Sequence, residues 1–354
     1  PRGLLDLKEQ LRKASYQPLP VKRVWIPKPG TMEKRPLGIP VVRDRIVQTA
    51  LRMVIEPIFE HRFAEHSYGF RPGRGCKDAL RRVQVLLDED YTWIVDADLK
   101  GYFDTIPKDR LMSRVAERIA DSRVLALVRS YLDQGVMEEL TLHEPTERGT
   151  PQGAVISPLL ANIYLDPLDH LVAAAGVQMV RYADDFVLLC RSEEQAKAAL
   201  ARVQAWVADN GLTLHPDKTR LVDATRPGGF DFLGYHFERG QKWPRRKALD
   251  RFKDKVRERT PRSSGESMEA TIASLNDMLR GWFGYFKHSS RDRLDGLDSY
   301  IRGRLRSILR KRMGRRGRGR GYDHQRWRNH YFDELGLFSL TRAHVSARLS
   351  PQGV

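Results

Sequence analysis

Cysteine is nearly absent: Cys76 and Cys190 are the only two in 354 residues, far apart and without C-x-x-C or His-rich spacing around either. That excludes a disulfide framework and a cysteine-based zinc site, and it fits a reducing cytoplasm. Long apolar runs are also missing, none approaching the roughly 20 residues of a membrane span, so no membrane partner is expected. The chain opens at Pro1 with no methionine, signal peptide or basic amphipathic leader, so a processed, trimmed or incomplete N-terminus is expected. Acidic side chains fail in one long stretch, Arg302 to Arg320, which contains none.

What is present is basic. The 62 Lys and Arg outnumber 45 Asp and Glu, for a net charge of +17, and a field of that sign attracts a polyanion. Trp282, Phe283, Tyr285, Phe286 and Trp327 are interleaved with the late basic residues, which favours nucleic acid over a solvated tail or a membrane-surface patch. Charge alone does not separate DNA from RNA. With 41% hydrophobic and 30% charged residues the chain reads as folded, and its length allows two or three units.

Residues 1 to 90 mix extended runs such as "VKRVWIPK" with helical ones such as "RDRIVQTALRMVIEPIF", a basic α/β lobe. From Thr92, "TWIVDADL" predicts a buried strand, a turn follows at Gly101, and Pro107 suits the first turn of a helix. After "RGTPQG", Ser157 is expected to cap and Pro158 to open a helix carrying Leu159, Leu160, Ile163, Tyr164 and Leu168. Residues 177–190, "VQMVRYADDFVLLC", predict two strands joined at a tight acidic turn, followed by a helix from Glu193 to Asp209. Further strands are expected around "GLTLHPDKT" and "FDFLGYHF". Beyond Pro244 helices are expected near 247–259, 267–288 and 294–313, a small bundle, with the arginine-rich "MGRRGRGRG" flexible until it meets a polyanion.

The acidic residues carry the sharpest inference. Asp98 ends a predicted strand while Asp184 and Asp185 lie in a predicted hairpin, so two strands can bring carboxylates together at their tips. Carboxylates about 4 Å apart repel by roughly 4 kcal/mol at an effective dielectric near 20, so clustering them requires a proton or a cation. Oxygen-only ligands suit Mg²⁺, with Mn²⁺ as a substitute, and two such ions can activate a 3′-hydroxyl and stabilise a leaving pyrophosphate. An adjacent Asp pair alone reads more simply as a polar turn.

The order of "PLGIPVVRDRIVQTAL", "SYGFRPGRGCKDAL", "DLKGYFD", "GTPQGAVISPLLANIYL", "RYADD", "LTLHPDKT" and "LNDMLRGWFGYFKHSS" resembles the successive motifs of bacterial group II intron reverse transcriptase/maturases. The likeness runs over nearly the whole chain, and "WRNHYFDELGLFSL" near its end fits as well. It implies an α/β (α+β) right-hand polymerase: fingers over 1–90, a palm with an antiparallel sheet over 91–243 that includes an inserted fingers segment at about 107–148, a helical thumb or maturase X region over 244–313, and a basic segment over 314–354. The implied activity is RNA-directed DNA synthesis, adding dNTPs to a DNA or RNA primer on an RNA template with two Mg²⁺ ions. A maturase role on group II intron RNA, in splicing and retromobility, is implied beside it, in the bacterial cytoplasm and nucleoid.

By that resemblance Asp98 is the first metal-binding aspartate, since an aromatic residue follows at Phe103. Strand periodicity places Asp96 on the same face and does not choose between them. Asp184 and Asp185 resemble the other acidic pair, Asp184 being the principal ligand. Phe103 matches a steric gate whose ring clashes with a 2′-hydroxyl, or else is a core aromatic. Gln152 and Gly153 resemble the turn lying against nucleotide and template, where glycine permits close backbone approach; Gly149, Pro151 and Pro158 read as structural. Lys218 resembles a lysine that protonates pyrophosphate.

In the fingers, Arg35, Arg45 and Arg71 are candidates for triphosphate or template-phosphate contact, against the ordinary reading of surface ion pairs. In the thumb, the aromatic cluster at 282–286 favours core packing over base stacking. Arg280, Lys287, Arg291 and Arg293, extended by Arg315, Arg316, Arg318 and Arg320, are the candidates for duplex backbone or intron RNA. The N-terminal extension of longer relatives is expected to be truncated, and no cysteine-paired endonuclease follows the maturase region. Two alternatives share much of this pattern, a nonenzymatic RNA-binding maturase and a defence or CRISPR-associated reverse transcriptase. The sequence does not give the oligomeric state.

Overall fold

An extended run rich in β-branched and aromatic side chains, VKRVWIP, makes Val21–Pro27 the first strand, β1, after a short amphipathic helix, α1, at Arg2–Arg12. The computed structural model describes residues 2–27, 32, 34–138, 141–143, 148–150, 152–263 and 265–349. The chain divides into two compact units, residues 1–223 and 224–354. No helix among the described residues is long and apolar enough to cross a membrane.

In the first unit β2 (Lys34–Ile39) runs antiparallel to β1, and α2 (Val42–Glu60) buries Val47, Leu51, Ile55 and Phe59 at helical spacing. Next come α3 (Cys76–Asp88), then β3 (Trp93–Asp98), whose Ile94, Val95 and Ala97 are fully buried. After β3 the chain forms α4 (Tyr102–Thr105), α5 (Lys108–Ala116) and α6 (Ser122–Leu132), the last capped by the Asp121 carboxylate accepting from the Arg123 and Val124 amides. It then returns to the first sheet: β4 (Val136–Glu138) lies parallel to β1 and β5 (Thr141–His143) pairs with β4, giving the order β2-β1-β4-β5. The segment expected as a fingers insertion therefore supplies two strands to the N-terminal sheet.

The rest of the unit builds the sheet that matters for chemistry. Helix α7 (Ser157–Ala174) is buried almost all round, as a continuous apolar run requires. It leads into the hairpin β6 (Gln178–Tyr182) and β7 (Asp185–Cys190), then α8 (Glu193–Asp209) and β8 (Arg220–Asp223). The four strands are antiparallel in the order β6-β7-β3-β8. Val95, Ala97, Phe186 and Leu188 from the sheet join Leu111 and Val115 of α5, Leu160 and Tyr164 of α7 and Val203 of α8 in one core. Ser157 is not the cap expected of it: Ile156 precedes the helix, Ser157 is its first, buried residue, and Pro158 stands in the first turn as expected.

The second unit opens with a three-stranded antiparallel sheet, β9 (Phe230–Phe232), β10 (Tyr235–Glu238) and β11 (Gln241–Pro244), in the order β11-β10-β9. Six helices follow: α9 (Arg246–Arg259), α10 (Met268–Phe286), α11 (Arg291–Arg312), α12 (Tyr322–Arg326), α13 (Asn329–Glu334) and α14 (Leu340–Leu349). The sheet pairs only with itself among the described residues, and Tyr235 packs on Phe286 at 5.0 Å between ring centroids and donates to the Tyr285 carbonyl. Phe252, Val256, Leu275, Leu279, Ile301 and Leu305 form the bundle core.

Candidate active site

The antiparallel register of β3 and β7 sets Asp98 directly opposite Asp185. Asp184 occupies the two-residue turn between β6 and β7, after Ala183 at φ +60°. Backbone geometry thus gathers the three acidic residues at one end of the central sheet, as their sequence positions lead one to expect. Their side chains do not form a finished cage: among the described residues no three His, Cys, Asp or Glu groups are gathered closely enough to hold a metal ion.

Electrostatics tie the carboxylates together all the same. Burial pushes the Asp184 carboxyl above the ordinary carboxylate range and the Asp98 charge adds to that, while its own backbone amide, Arg35 and Lys218 pull it down. Lys218 makes an ion pair with Asp98 Oδ2. A half-buried carboxylate beside another carboxylate is a site that gains from a hard cation, and the donor set is oxygen only. These residues therefore fit a divalent ion by chemistry.

Asp96 has a different occupation. It faces Val187 and Arg220 in the register, and its Oδ2 accepts from Arg220 Nε at 3.0 Å. Both aspartates are ion-paired, Asp98 with Lys218 and Asp96 with Arg220, and what separates them is position: Asp98 stands at the strand tip opposite Asp185, Asp96 two residues deeper opposite Val187. The "HPDKT" turn is hung on that tip: the His215 amide donates to the Asp98 carbonyl at 2.8 Å, and the His215 carbonyl accepts from Lys218 and Thr219. Within "GLTLHPDKT" Leu214 bridges to Leu99, and β8, a strand expected to flank this segment, begins directly after it at Arg220.

The "PQG" loop lies against β2 and α4. Gln152 accepts from the Gly38 amide at 2.7 Å through its carbonyl, and its side-chain Nε2 donates to Asp104 Oδ2 at 3.2 Å. A Cβ at Gly153, where φ is +104°, would stand 3.2 Å from the Gly38 carbonyl oxygen, so this position needs glycine. Pro151 lies outside the described residues. Phe103 is half-buried on α4, edge-on to Tyr102 at 5.6 Å between centroids, and its carbonyl accepts from the Thr150 amide at 2.7 Å. It therefore joins the turn that carries Gln152 to the strand that carries Asp98. Sequence reasoning missed Gln48, wholly buried on α2, whose Oε1 accepts from the Val155 amide at 2.8 Å and steadies the same loop.

The three fingers arginines separate. Arg35 is exposed on β2 and acts electrostatically on Asp184, and Arg45 is exposed on α2. Arg71 is a correction. Its side chain is 3% exposed, paired with both oxygens of Glu60, donating to the carbonyls of Ala64 at 2.6 Å and Ser67 at 2.8 Å, and lying over the Phe63 ring. Its donors are consumed within the fold, so it fixes the 60–71 loop and does not reach a triphosphate. Arg71→Ala, which leaves Glu60 without its partner, is expected to cost about 2–3 kcal/mol, given that Glu60 keeps some solvent. Calorimetry should then show Tm lower by about 5–10 °C.

In the second unit the aromatic cluster is core: Trp282 packs on Phe252 and Phe286 at 4.5 and 4.7 Å between centroids. Arg280 lies over Phe338, and Arg293 lies 4.8 Å over Trp243. Arg291 is exposed at the start of α11, and Lys287 is half-buried just after α10. Arg302 and Arg306, in the acid-free run, are buried, Arg306 donating to the Trp327 carbonyl and Asn329. The "MGRRGRGRG" segment forms no regular element, yet it is tied down. Arg310 donates to the Arg316 carbonyl and pairs with Asp323, which also accepts from the Arg320 amide. Arg315 and Arg316 thereby join Arg262 and Lys311, both missed from sequence, around a cavity of about 560 Å³. Arg318 and Arg320 stay exposed beside it.

Residues 26–237 match the family described as Reverse transcriptase (RNA-dependent DNA polymerase), and residues 249–327 match the Group II intron, maturase-specific domain. Protein YkfC of Escherichia coli (strain K12) is 36% identical over 272 residues, 66% of this chain and 70% of that protein. The Group II intron-encoded protein LtrA of Lactococcus lactis subsp. cremoris is 40% identical over 164 residues, 46% of this chain and 27% of LtrA. Among solved structures, telomerase from Candida albicans superposes with a TM-score of 0.50 at 14% identity, covering 83% of this chain and 59% of that one, a likeness of fold alone.

Proposed function

The chain belongs to the reverse transcriptase family of RNA-dependent DNA polymerases and carries a group II intron maturase-specific domain, and from that premise we propose that it extends a DNA or RNA primer along an RNA template while its second unit grips group II intron RNA. The observation that carries the reading is the pairing of Asp98 with Asp185 across β3 and β7, with Asp184 in the adjoining turn.

Asp98, Asp184 and Asp185 are the residues to hold Mg²⁺, or Mn²⁺ in its place, which when bound supplies Lewis-acid stabilisation of charge developing on the transferred phosphoryl group. The chain's own groups do the rest. Phe103 stands beside the strand tip as a wall against a ribose 2′-hydroxyl. The Gly153 backbone, with no Cβ, leaves room for close approach of nucleotide and template. Arg35, already coupled to Asp184, is placed to meet triphosphate oxygens, with Arg45 on the next helix as a template-phosphate contact. Lys218 holds a proton at Nζ beside Asp98 and is placed to pass it to departing pyrophosphate.

Primer extension with dNTPs and Mg²⁺ on an RNA template tests the reading directly, DNA product from the parent protein supporting it and no product ending it. RNA binding is tested apart from catalysis. The concave group of Arg262, Lys311, Arg315 and Arg316 should neutralise RNA phosphates, so each Ala replacement there lowers the slope of log affinity against log salt by about 0.7–0.9. Anisotropy titrations with intron RNA should show this loss. Arg280, Lys287, Arg291, Arg293, Arg318 and Arg320 are expected to contribute smaller, sequence-independent losses, and a slope indifferent to all of them would remove the second unit as the RNA grip.

A further inference from the structure

The turn that carries Asp184 is held by a side chain that no catalytic scheme requires. Arg181, on β6, is fully buried, a place where an arginine is found only when something balances it. Asp169 on α7, itself 4% exposed, does so, its two oxygens accepting from Nε at 2.7 Å and Nη2 at 2.5 Å. That leaves Nη1, which donates to the Ala183 carbonyl at 3.0 Å and to Asn162 Oδ1 at 3.0 Å. Asn162 in turn donates through Nδ2 to the Gly69 carbonyl at 2.8 Å.

Ala183 is the residue that needs holding. Its φ of +60° is a conformation that side chains other than glycine disfavour, and it directly precedes Asp184. The remaining contacts close on the same point. The Arg181 amide donates to the His66 carbonyl, its carbonyl accepts from the Tyr68 amide, and a Cβ at Gly69 would overlap the Ala183 backbone nitrogen. Helix α7, the 66–69 loop and β6 therefore converge on one strained residue through one guanidinium. A fold needing only stability could fill this volume with apolar side chains at no loss, because a buried ion pair is weak support for stability.

We propose that Arg181 is a positioning residue for the acidic turn: neutralised by Asp169, its guanidinium fixes the Ala183 carbonyl and so aims the Asp184 carboxylate at the ion it shares with Asp98. Removing it leaves the fold and the grip on nucleic acid intact and spoils the site, since misplacement by about 1 Å is enough to lose roughly 10²-fold in rate. The inference rests on the polymerase reading for its kinetic arm and only on the carboxylates for its binding arm.

The test uses the full chain with Arg181→Met combined with Asp169→Val, which removes both charges and changes the total volume little, and separately Arg181→Lys, which keeps the charge toward Asp169 but lacks the planar fork that serves Ala183 as well. Expected for the double variant are a cooperative melting transition a few degrees below the parent's, since the Ala183 carbonyl and Asn162 Oδ1 lose their donor, unchanged affinity for primer and template, a dTTP KM within about threefold and a kcat lower by about 10²-fold. Mn²⁺ binding, read from the disappearance of the free-ion electron paramagnetic resonance signal, should weaken about tenfold in parallel, with Arg181→Lys intermediate in both readouts. Either variant, folded and with wild-type kcat and Mn²⁺ affinity, overturns the proposal. Should the double variant fail to fold, Arg181→Lys decides alone. Should the parent make no DNA, the polymerase reading falls, and Mn²⁺ affinity still decides the positioning role.

Discussion

Asp184→Asn should abolish DNA synthesis and at the same time raise the melting temperature of the metal-free protein. The first effect follows from removing one of three oxygen-donor carboxylates around a charge-stabilising ion, a loss on the order of 10³-fold in primer extension. The second follows from the cost of the site itself. Burial and the neighbouring Asp98 charge hold the Asp184 carboxyl above its ordinary value, so its ionised form is disfavoured in the folded chain relative to the unfolded one. Asparagine has the same shape and no charge to disfavour.

The pH dependence fixes the sign. Well below the ordinary carboxylate range Asp184 is protonated in both folded and unfolded states, and the variant gains nothing. As pH rises through that range the unfolded chain releases its proton first, wild-type stability falls relative to Asp184→Asn, and the gap is complete above the raised folded value. Millimolar Mg²⁺ should close or reverse it, because an ion bound to the folded wild type stabilises it by mass action and finds a poorer site in the variant. Calorimetry of both proteins at acid and neutral pH, with and without Mg²⁺, checks all three statements. A variant no more stable than the parent at neutral pH without metal would mean that burial and the Asp98 charge do not disfavour the Asp184 carboxylate as argued.

Much of this site was legible in the chain before any coordinates. "TWIVDADL" and "VQMVRYADDFVLLC" read as buried strands, with Asp98 at the end of one and Asp184 and Asp185 in the turn of the other, so the convergence of the three required pairing alone. The partners of buried polar groups were harder to see, because they come from long-range packing. Arg71 read as a phosphate ligand since nothing nearby in sequence announces Glu60 as its partner. Arg181 was passed over although a signal existed: a charge inside an apolar strand, with Asp169 inside an apolar helix, implies that the two are buried against each other. Composition gave no sign that the arginine-rich 313–321 segment is tied down by Asp323, two residues beyond it, which pairs with Arg310 and accepts from the Arg320 amide. Asp96 against Asp98 was undecidable by periodicity, and it is the cross-strand register, Asp98 opposite Asp185 and Asp96 opposite Val187, that separates them.

Phe103→Ala is the second large effect, and it concerns choice more than rate. As a steric gate the ring would discriminate by exclusion, contributing nothing to binding a deoxynucleotide and colliding with the extra hydroxyl of a ribonucleotide. Truncation to alanine removes the collision, so rNTP incorporation should rise and the preference for dNTPs fall by about 10²-fold, equal to about 2.7 kcal/mol. Phe103 is also half-buried against Tyr102 and the core of the first unit, so a lost ring costs stability, about 1–3 kcal/mol for a partly buried aromatic. The two consequences are separable. Phe103→Leu keeps most of the packing and loses the width of the ring, so it should restore Tm while leaving discrimination relaxed. Competition of each rNTP against its dNTP in single-nucleotide extension measures the ratio free of any loss of folded protein, since both substrates meet the same enzyme. A Phe103→Ala protein that still excludes rNTPs as the parent does would return Phe103 to the core as a packing residue and leave sugar selection to another group at the site.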